Sequence, residues 1–377
     1  MRIALVQKNF HPNSVGLIRG LQERGHTVLN VIQYYRLPPD QSEVKVRSVV
    51  VPYGPVSRRL LTGSKKRLDR RAVPRLSILI REFRQFRPDI VIVKETRAAA
   101  LIAGLIGRLV GAKVVLMSNK PRPFRSIPWL ATVGRPLLPN IKFHMGHAGR
   151  IGEDLRLGPA GKSRLLPYPV TAGPDPAARV GAMLADRDRP IRIITIGLLD
   201  NPRKQNWMVV EAIAAAGLHR AAEVTFVGLG SESSRDYLAI RDAEARLDLS
   251  ASEILLNVPH QEVLQLLPQF DLCVLPAKDE PFGVIIPEAM ASGVPAICSD
   301  TCGSRVCFED GVSGLVFTTD VIQDLAAKIA LLERDRDLLA RMTLKAYETA
   351  TRQLSPAAWA AAFEQLLEDR SASRRPR

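Results

Sequence analysis

Short apolar runs alternate with longer amphipathic stretches over the first half of the chain. Apolar runs of about four to eight residues favour buried strands, and stretches with apolar residues every three or four positions favour helices. Gly25 and Gly111 mark the ends of two such helices. Because strands that are apolar on both faces belong to parallel sheets covered by helices, the pattern predicts a doubly wound α/β domain. Its predicted strands are 2–7, 26–32, 89–95 and 112–118.

The same alternation restarts after a segment at 166–176 that holds four prolines and a glycine. Such a segment breaks regular structure, so it favours a linker near mid-chain. The second half is predicted to be another doubly wound sheet, and the amphipathic stretch that ends the chain is long enough to pack back on the first domain. The predicted order is a Rossmann-like domain at 1–170, a linker at 171–189, a second Rossmann-like domain at 190–354 and a closing helix at 355–369.

Composition agrees with two globular domains, since 46% of the 377 residues are hydrophobic and 24% are charged. Met1 and Arg2 lead directly into a predicted strand, without the apolar stretch and cleavage site of a signal peptide. The longest apolar run, at 98–107, is far shorter than the roughly 20 residues that span a bilayer. These features predict a cytoplasmic protein. Its four cysteines lack C-x-x-C spacing and are expected to be buried reduced thiols: Cys273, Cys298, Cys302 and Cys307.

The net charge of +15 is concentrated in the first half. Residues 1–175 hold 31 Lys and Arg against 10 Asp and Glu, whereas the rest hold 22 against 28. A basic domain favours an anionic partner, such as a phosphorylated or lipid-linked acceptor. At 58–87, dense Lys and Arg alternate with Leu, Ile and Phe, which is typical either of a segment on a membrane surface or of a solvated basic face. Nucleic acid is disfavoured as a partner, because no recognised binding motif accompanies the charge.

The segment 271–300, DLCVLPAKDEPFGVIIPEAMASGVPAICSD, carries the most specific candidate chemistry. A predicted buried strand is followed by a loop with Glu280 and a short helix with Glu288 in its opening turn. Pro287 suits the start of that helix, and Gly293 suits the position just past its end. In an open parallel sheet ligands bind at the carboxyl ends of the strands, which is where this loop and helix start belong.

The residue types in this segment suit a nucleotide. Backbone N–H groups near 282–286 present partial positive charge to a diphosphate, and Gly283 lets the backbone approach it closely. An ionised Glu288 can accept two hydrogen bonds from a ribose diol. Glu280, on the loop, is expected nearer the reacting sugar.

The E-x7-E pattern within EPFGVIIPEAMASGVPAICSD resembles the signature of retaining glycosyltransferases of family 4. The resemblance extends through 227–233, 257–263 and 310–317, covers most of 190–320 and fades toward the N-terminus. It implies a GT-B fold with an interdomain cleft, and transfer of a hexosyl group from a nucleotide diphosphate sugar with retained configuration. It also implies that neither a catalytic metal nor a cofactor takes part. The D-R-D strings at 186–188 and 335–337 are accordingly expected on solvated surfaces.

Roles can be carried over where this sequence matches the family. The resemblance implies that Glu280 is catalytic and contacts a hydroxyl of the donor sugar, and that Lys204 with Arg203 neutralises the diphosphate leaving group. The arginine usual directly after the glycine is replaced by Leu198 here, so Arg203 is expected to substitute for it. The full set of implied donor-binding residues is Arg203, Lys204, Val258, Phe282, Gly283, Val284, Ile285 and Glu288.

The first domain departs from the family pattern. KNFHPNSVG replaces the paired-glycine loop after the first strand, which leaves Gly16 as the candidate there. Ser118 and Asn119 occupy the place where the resemblance leads us to expect a histidine. These three residues are the predicted acceptor side. The acceptor is expected to be an envelope polysaccharide or glycolipid precursor at the inner membrane face. A nucleotide-sugar epimerase of the same fold and a catalytically silent nucleotide-sugar-binding protein remain the alternatives.

Overall fold

The computed structural model describes residues 1–10, 12–33, 44–54, 73–94, 98–118, 141–144, 163–247 and 252–372. The chain divides into two compact units. The first comprises the described parts of Met1–Met145, Arg156–Tyr168 and Pro356–Arg377, and the second those of Gly146–Leu155 and Pro169–Ser355.

A parallel sheet of seven strands forms the first unit, in the order β3-β2-β1-β4-β5-β6-β7. Its strands are β1 (Arg2–Gln7), β2 (Thr27–Ile32), β3 (Arg47–Val50), β4 (Ile90–Lys94), β5 (Lys113–Ser118), β6 (Ile141–His144) and β7 (Ser163–Leu165). The helices before the second unit are α1 (Val15–Glu23), α2 (Leu76–Phe86) and α3 (Ala98–Leu109). All four strands predicted here are confirmed, because their apolar residues fill the core between sheet and helices.

A parallel sheet of six strands forms the second unit, in the order β10-β9-β8-β11-β12-β13. The strands are β8 (Ile191–Leu198), β9 (Ala222–Leu229), β10 (Ser252–Leu256), β11 (Leu272–Leu275), β12 (Ala296–Ser299) and β13 (Gly314–Phe317). The helices are α4 (Ala177–Ala185), α5 (Trp207–Ala215), α6 (Arg235–Leu247), α7 (His260–Leu266), α8 (Ile285–Ala291), α9 (Ile322–Arg334) and α10 (Arg336–Gln353). The order reverses between β8 and β11, as in dinucleotide-binding sheets.

Two features of the second unit were not anticipated from the sequence. Helix α4 lies inside the segment expected to be a linker, and its Val180 and Met183 are part of the unit's core. At the amino ends of the strands, the carboxylate of Asp271 is fully buried and accepts hydrogen bonds from both terminal nitrogens of Arg189, at 2.7 Å each. The backbone N–H of Arg192 donates to the same carboxylate at 2.9 Å.

The last helix, α11 (Pro356–Ala372), belongs to the first unit and packs against α1. The two helices are so close that a Cβ atom on Gly20 would lie 2.0 Å from the carbonyl oxygen of Pro356. Trp359 and Phe363 stack on each other and meet Phe143 of β6 edge-on. Glu364 accepts a hydrogen bond from Nε of Arg24 at 2.7 Å and contacts His26 Nε2 at 2.7 Å, so the docking is both apolar and ionic.

The four cysteines are buried and carry no disulfide, as predicted. Burial raises the pKa of the Cys273 thiol to about 12. A thiol with so high a pKa is a poor nucleophile at neutral pH, so Cys273 acts as a small core residue.

Candidate functional site

Two loops leave the second sheet on either side of the point where its strand order reverses. Residues 199–206, the cation loop, follow β8 and lead into α5, and residues 276–284, the carboxylate loop, follow β11 and lead into α8. Because β8 and β11 are adjacent and parallel, both loops emerge at the same end of the sheet. This is the position at which open α/β sheets bind ligands.

The two loops are joined by an ion pair and by backbone contacts. Lys204 Nζ lies 2.9 Å from Glu280 Oε2, and their side chains are 12% and 14% exposed. Arg203 Nη1 donates to the carbonyl oxygen of Asp279 at 3.0 Å, and the carbonyl oxygen of Arg203 accepts the N–H of Lys278 at 2.7 Å. The structure therefore brings together Lys204 and Glu280, two residues separated by 76 positions that the sequence assigned to one site.

Gly283 shapes the carboxylate loop. Its φ of +68° is one that residues with a side chain rarely adopt. A Cβ atom there would lie 2.6 Å from Leu275 Cδ2 and 3.3 Å from the Cγ atom of Glu280. The loop thus packs directly against the stem of Glu280, and Phe282 beside it is 3% exposed. Only glycine fits this position without moving the carboxylate.

The second carboxylate, Glu288, lies in the first turn of α8, as predicted. Its Oε1 is 2.9 Å from Nε2 of His260, the first residue of α7. Glu288 is 13% exposed and His260 37% exposed, so the pair is open to solvent on the histidine side. Half-buried Val258 precedes α7 in the same connection.

The other predicted residues that the structure describes belong to both units. Ile285 is buried at the start of α8, and Val284 just before it is half-buried. In the first unit, Gly16 is buried in α1 and Ser118, 2% exposed, ends β5. Asn119 and the part of the basic segment at 58–72 lie outside the described residues.

Strained backbone flanks both charged residues of the ion pair. Gln205 has a φ of +51° and Asp279 a φ of +50°, and neither is a glycine. Left-handed backbone at such residues is uncommon and concentrates at ligand sites, where the surrounding structure must enforce it. No composition or spacing signal marked these two positions in advance.

Sequence reasoning also missed a buried polar group behind the cation loop. Asp236, in the first turn of α6, is 4% exposed and accepts the backbone N–H of Asn206 at 3.2 Å. Burial raises the pKa of Asp236 to about 6, although hydrogen bonds from Asn206 and the charge of Arg235 oppose this shift. An aspartate in the first turn of a helix is common, so nothing in the sequence distinguished it.

Within the ranges given above, no group of three or more His, Cys, Asp or Glu residues is placed to hold a metal ion. Over the same ranges, none of the helices has the length and apolarity required to cross a membrane.

The second half of the chain is similar to a known protein family. Residues 186–349 match the family model described as Glycosyl transferases group 1. A D-inositol 3-phosphate glycosyltransferase of Nocardia farcinica is 35% identical over 159 residues, which are 41% of this chain and 34% of that protein. A glycogen synthase of Mycobacterium tuberculosis is 27% identical over 160 residues, 42% of this chain and 38% of that protein. The chain thus spans little more than a third of the length of these relatives.

Solved structures resemble the chain over almost its whole length. HepE from Anabaena in complex with UDP has a TM-score of 0.72 at 16% identity, covering 98% of this chain and 100% of that one. Its complex with UDP-glucose gives a TM-score of 0.70 at 17% identity, covering 99% and 100%. At these identities the likeness shows the fold. The two parallel-sheet α/β units confirm the predicted GT-B type of fold, and residues 186–349 within it match the glycosyl transferases group 1 model.

Proposed function

From the domain at 186–349, which matches the glycosyl transferases group 1 model, we propose that this protein is a retaining hexosyltransferase that uses a nucleotide diphosphate sugar. The observation that carries the proposal is the Lys204–Glu280 pair at the strand-order reversal of that domain. A cation and a carboxylate there supply the two charges that sugar transfer needs, one for the departing diphosphate and one for the sugar.

Lys204 and Arg203 would stabilise the leaving group. During transfer the bond between the anomeric carbon and the distal phosphate oxygen breaks, and negative charge develops on that oxygen. The ammonium group of Lys204, whose contact among the described residues is with Glu280, can exchange this contact for the phosphate. The acceptor oxygen forms the new bond on the same face of the sugar, and its proton passes to the leaving phosphate oxygen. Charge and protons therefore balance without a metal or cofactor as reactant.

Glu280 would accept a hydrogen bond from a hydroxyl of the donor sugar. Its backbone supports this role, because the carbonyl oxygen of Glu280 accepts the N–H of Gly303 at 2.8 Å and Gly283 packs against its side chain. A carboxylate with a fixed main chain and one exchangeable partner can turn toward a sugar without moving the loop.

Glu288 would bind the ribose of the donor, with the nucleobase beside Val258. Its contact with His260 orients the carboxylate and leaves the second oxygen for the ribose diol. The backbone from Phe282 to Ile285, at the start of α8, would contact the sugar and the distal phosphate. HepE, which shares the fold, was crystallised with UDP and with UDP-glucose. UDP is therefore the first nucleotide to test.

We place the acceptor on the basic first unit, with Gly16, Ser118 and Asn119 as its candidate residues. The described part of the basic segment carries an arginine-rich exposed face, on α2 and its ends, opposite the buried Leu79 and Phe83: Arg75, Arg81, Arg84 and Arg87. Such a face suits a phosphate-bearing or lipid-linked acceptor of the cell envelope, encountered at the cytoplasmic face of the inner membrane.

Thermal unfolding of the purified protein with UDP, GDP, ADP or CMP tests the donor site. One nucleotide should raise the unfolding temperature, since a ligand at 100 times its dissociation constant stabilises a protein by about 2.7 kcal/mol. The rise should vanish in Glu288→Ala but persist in Glu262→Ala, which changes an exposed carboxylate of α7.

Absence of any rise at millimolar concentration of all four nucleotides would contradict the donor site. If a nucleotide binds, product analysis distinguishes transfer of the sugar from epimerisation and from binding alone. Transfer requires an acceptor and should stop in Glu280→Ala, whereas isomerisation of the donor sugar without an acceptor would identify an epimerase. A protein that binds nucleotide but turns over nothing would be a binding protein only.

A further inference from the structure

Both ends of the cation loop are attached to one residue. The backbone N–H of Asp236 donates to the carbonyl oxygen of Leu199, at the beginning of the loop, at 2.9 Å. Its Oδ2 accepts the backbone N–H of Asn206, at the end of the loop, at 3.2 Å. Asp236 therefore closes the loop that presents Lys204, although its carboxylate is 4% exposed and lies in α6.

The attachment continues from Asn206 to Lys204. Thr195 Oγ1 donates to Asn206 Oδ1 at 3.2 Å, and both residues are 1% exposed. The side chains of Asn206 and Lys204 both pack against Gly197. A Cβ atom on Gly197 would lie 3.4 Å from Asn206 Nδ2 and 3.2 Å from Lys204 Cδ. The amide of Asn206 and the stem of Lys204 therefore share one packing surface.

A purely structural role explains this arrangement poorly. Burial of a carboxylate disfavours its charged form, and the hydrogen bonds of Asp236 come from the neutral Asn206. A neutral asparagine would avoid the buried charge, but its amide oxygen would accept the N–H of Asn206 more weakly than the carboxylate does. Groups that lower stability in this way are retained where geometry has a function, as in shells that hold the residues of a site.

We propose that Asp236 is the positioning residue of the cation loop and fixes Lys204 where its ammonium group meets the diphosphate of the donor. This inference rests on the proposed function of Lys204. Asp236 acts through Asn206 and does not itself contact the donor, so its loss should lower the rate of bond breaking more than it weakens donor binding.

The first test compares Asp236→Asn with Glu244→Gln. Glu244 is a second buried carboxylate of α6, and it pairs with Arg241 away from the cation loop. Hydrolysis of UDP-glucose, GDP-mannose and ADP-glucose, followed by nucleotide release, identifies the substrate. With it, Asp236→Asn should lower kcat about ten- to hundredfold and change KM less than about threefold, since small misplacements of a catalytic group cost this much. Glu244→Gln should leave both values unchanged, and equal effects of the two variants would overturn the proposal.

The second test places Asp236→Asn in a Lys204→Ala background. If Asp236 acts through Lys204, the double variant should be as slow as Lys204→Ala alone. Multiplying losses in the double variant would show that Asp236 acts by another route and would refute the inference. Asn206→Ala should reproduce the Asp236→Asn result, and it serves as the second variant if Asp236→Asn folds poorly.

Hydrogen exchange provides a readout that needs no donor. The amides of Lys204 and Asn206 are both hydrogen-bonded, to Asn201 O and to Asp236 Oδ2, so peptides covering 199–206 should exchange about tenfold faster in Asp236→Asn. Glu244→Gln should not change them. Unchanged exchange would overturn the inference whatever the substrate is. Faster exchange together with full activity of Lys204→Ala would instead mean that the proposed function of Lys204 is wrong.

Discussion

The two ends of the second sheet contain carboxylates that are paired in different ways. At the amino ends of the strands, Asp271 is 0% exposed and receives two hydrogen bonds from Arg189 and one from the backbone of Arg192. At the carboxyl ends, the carboxylate of Glu280 has one partner among the residues that the structure describes, the ammonium group of Lys204. A carboxylate with saturated hydrogen bonds is fixed in the fold, whereas one with a single partner can exchange it for a ligand.

The pKa of Asp271 reflects this saturation. Burial on its own raises the pKa of the carboxyl, but the hydrogen bonds from Arg189 and from the N–H of Arg192 outweigh burial and hold it below the usual range. Asp271 therefore stays ionised well below neutral pH. The same chemical groups thus serve stability at one end of the sheet and are available for binding at the other.

The largest effect is expected from Asp271→Asn. Removing the charge leaves two arginines beside a neutral group in a buried position, and breaking such a pair costs about 3–5 kcal/mol. Urea unfolding followed by circular dichroism measures the loss, which should fall on the second unit. A loss below about 1 kcal/mol would show that Asp271 is no more structural than a surface ion pair.

Lys204→Ala should lower activity rather than stability, the converse of Asp271→Asn. Loss of the charge facing the leaving group is expected to lower kcat about 100- to 1000-fold, comparable to removal of one oxyanion donor, with little change in stability. Donor hydrolysis and urea unfolding of the same preparation separate the two quantities. Arg203→Ala is the matched control on the neighbouring exposed residue and should have a smaller effect. If Lys204→Ala lowers the free energy of unfolding as much as Asp271→Asn does, the proposed difference between the two ends of the second sheet is wrong.

The pH dependence of stability in Asp236→Asn extends the comparison to the buried carboxylate behind the cation loop. Because the pKa of Asp236 is raised by burial to about 6, its protonated form is favoured by the folded state. The stability it contributes is present below the unfolded pKa of about 4 and is lost as pH rises through 6. Relative to the wild type, the variant should therefore gain about 2 kcal/mol between pH 4 and pH 8. Urea unfolding at both pH values measures the gain, and a pH-independent difference would contradict it.

The smallest effect is expected at the exposed ion pair between Arg187 and Asp337. Their side chains are 48% and 56% exposed, so water competes for both charges even though the contact has the two-point geometry of the Asp271 pair. Asp337→Asn should leave urea unfolding unchanged within error. A measurable loss would show that two-point geometry, rather than burial, decides which pairs hold this fold.

Much of the fold could be predicted from the sequence because its signals are local. Apolar runs predicted the strands around the site. Pro287 predicted the first turn of α8, and Gly293 predicted its end. The same local signals placed Glu280 on a loop and Glu288 in the opening turn of a helix. Adjacency of the strands at the reversal then brought Lys204 to Glu280.

The remaining features depend on contacts between distant residues. Helix α4 was missed because the prolines before it and the glycine within it outweighed a short apolar stripe whose partners lie elsewhere in the core. The contact between His260 and Glu288 joins two helices whose relative position no spacing reveals. Asp236 looks like any aspartate at a helix start until the cation loop is folded onto it. The roles assigned to individual site residues remain predictions for the experiments above.

The docking of α11 on α1 has a consequence for biosynthesis. Strands β1 to β7 of the first unit precede Pro169–Ser355 of the second unit in the chain, yet the aromatic contacts to Phe143 come from Trp359 and Phe363, which follow it. The second unit is translated in full before these contacts can form. Until α11 has been translated, the surface of α1 and β6 that it covers stays exposed, and in this period chaperones have access to it.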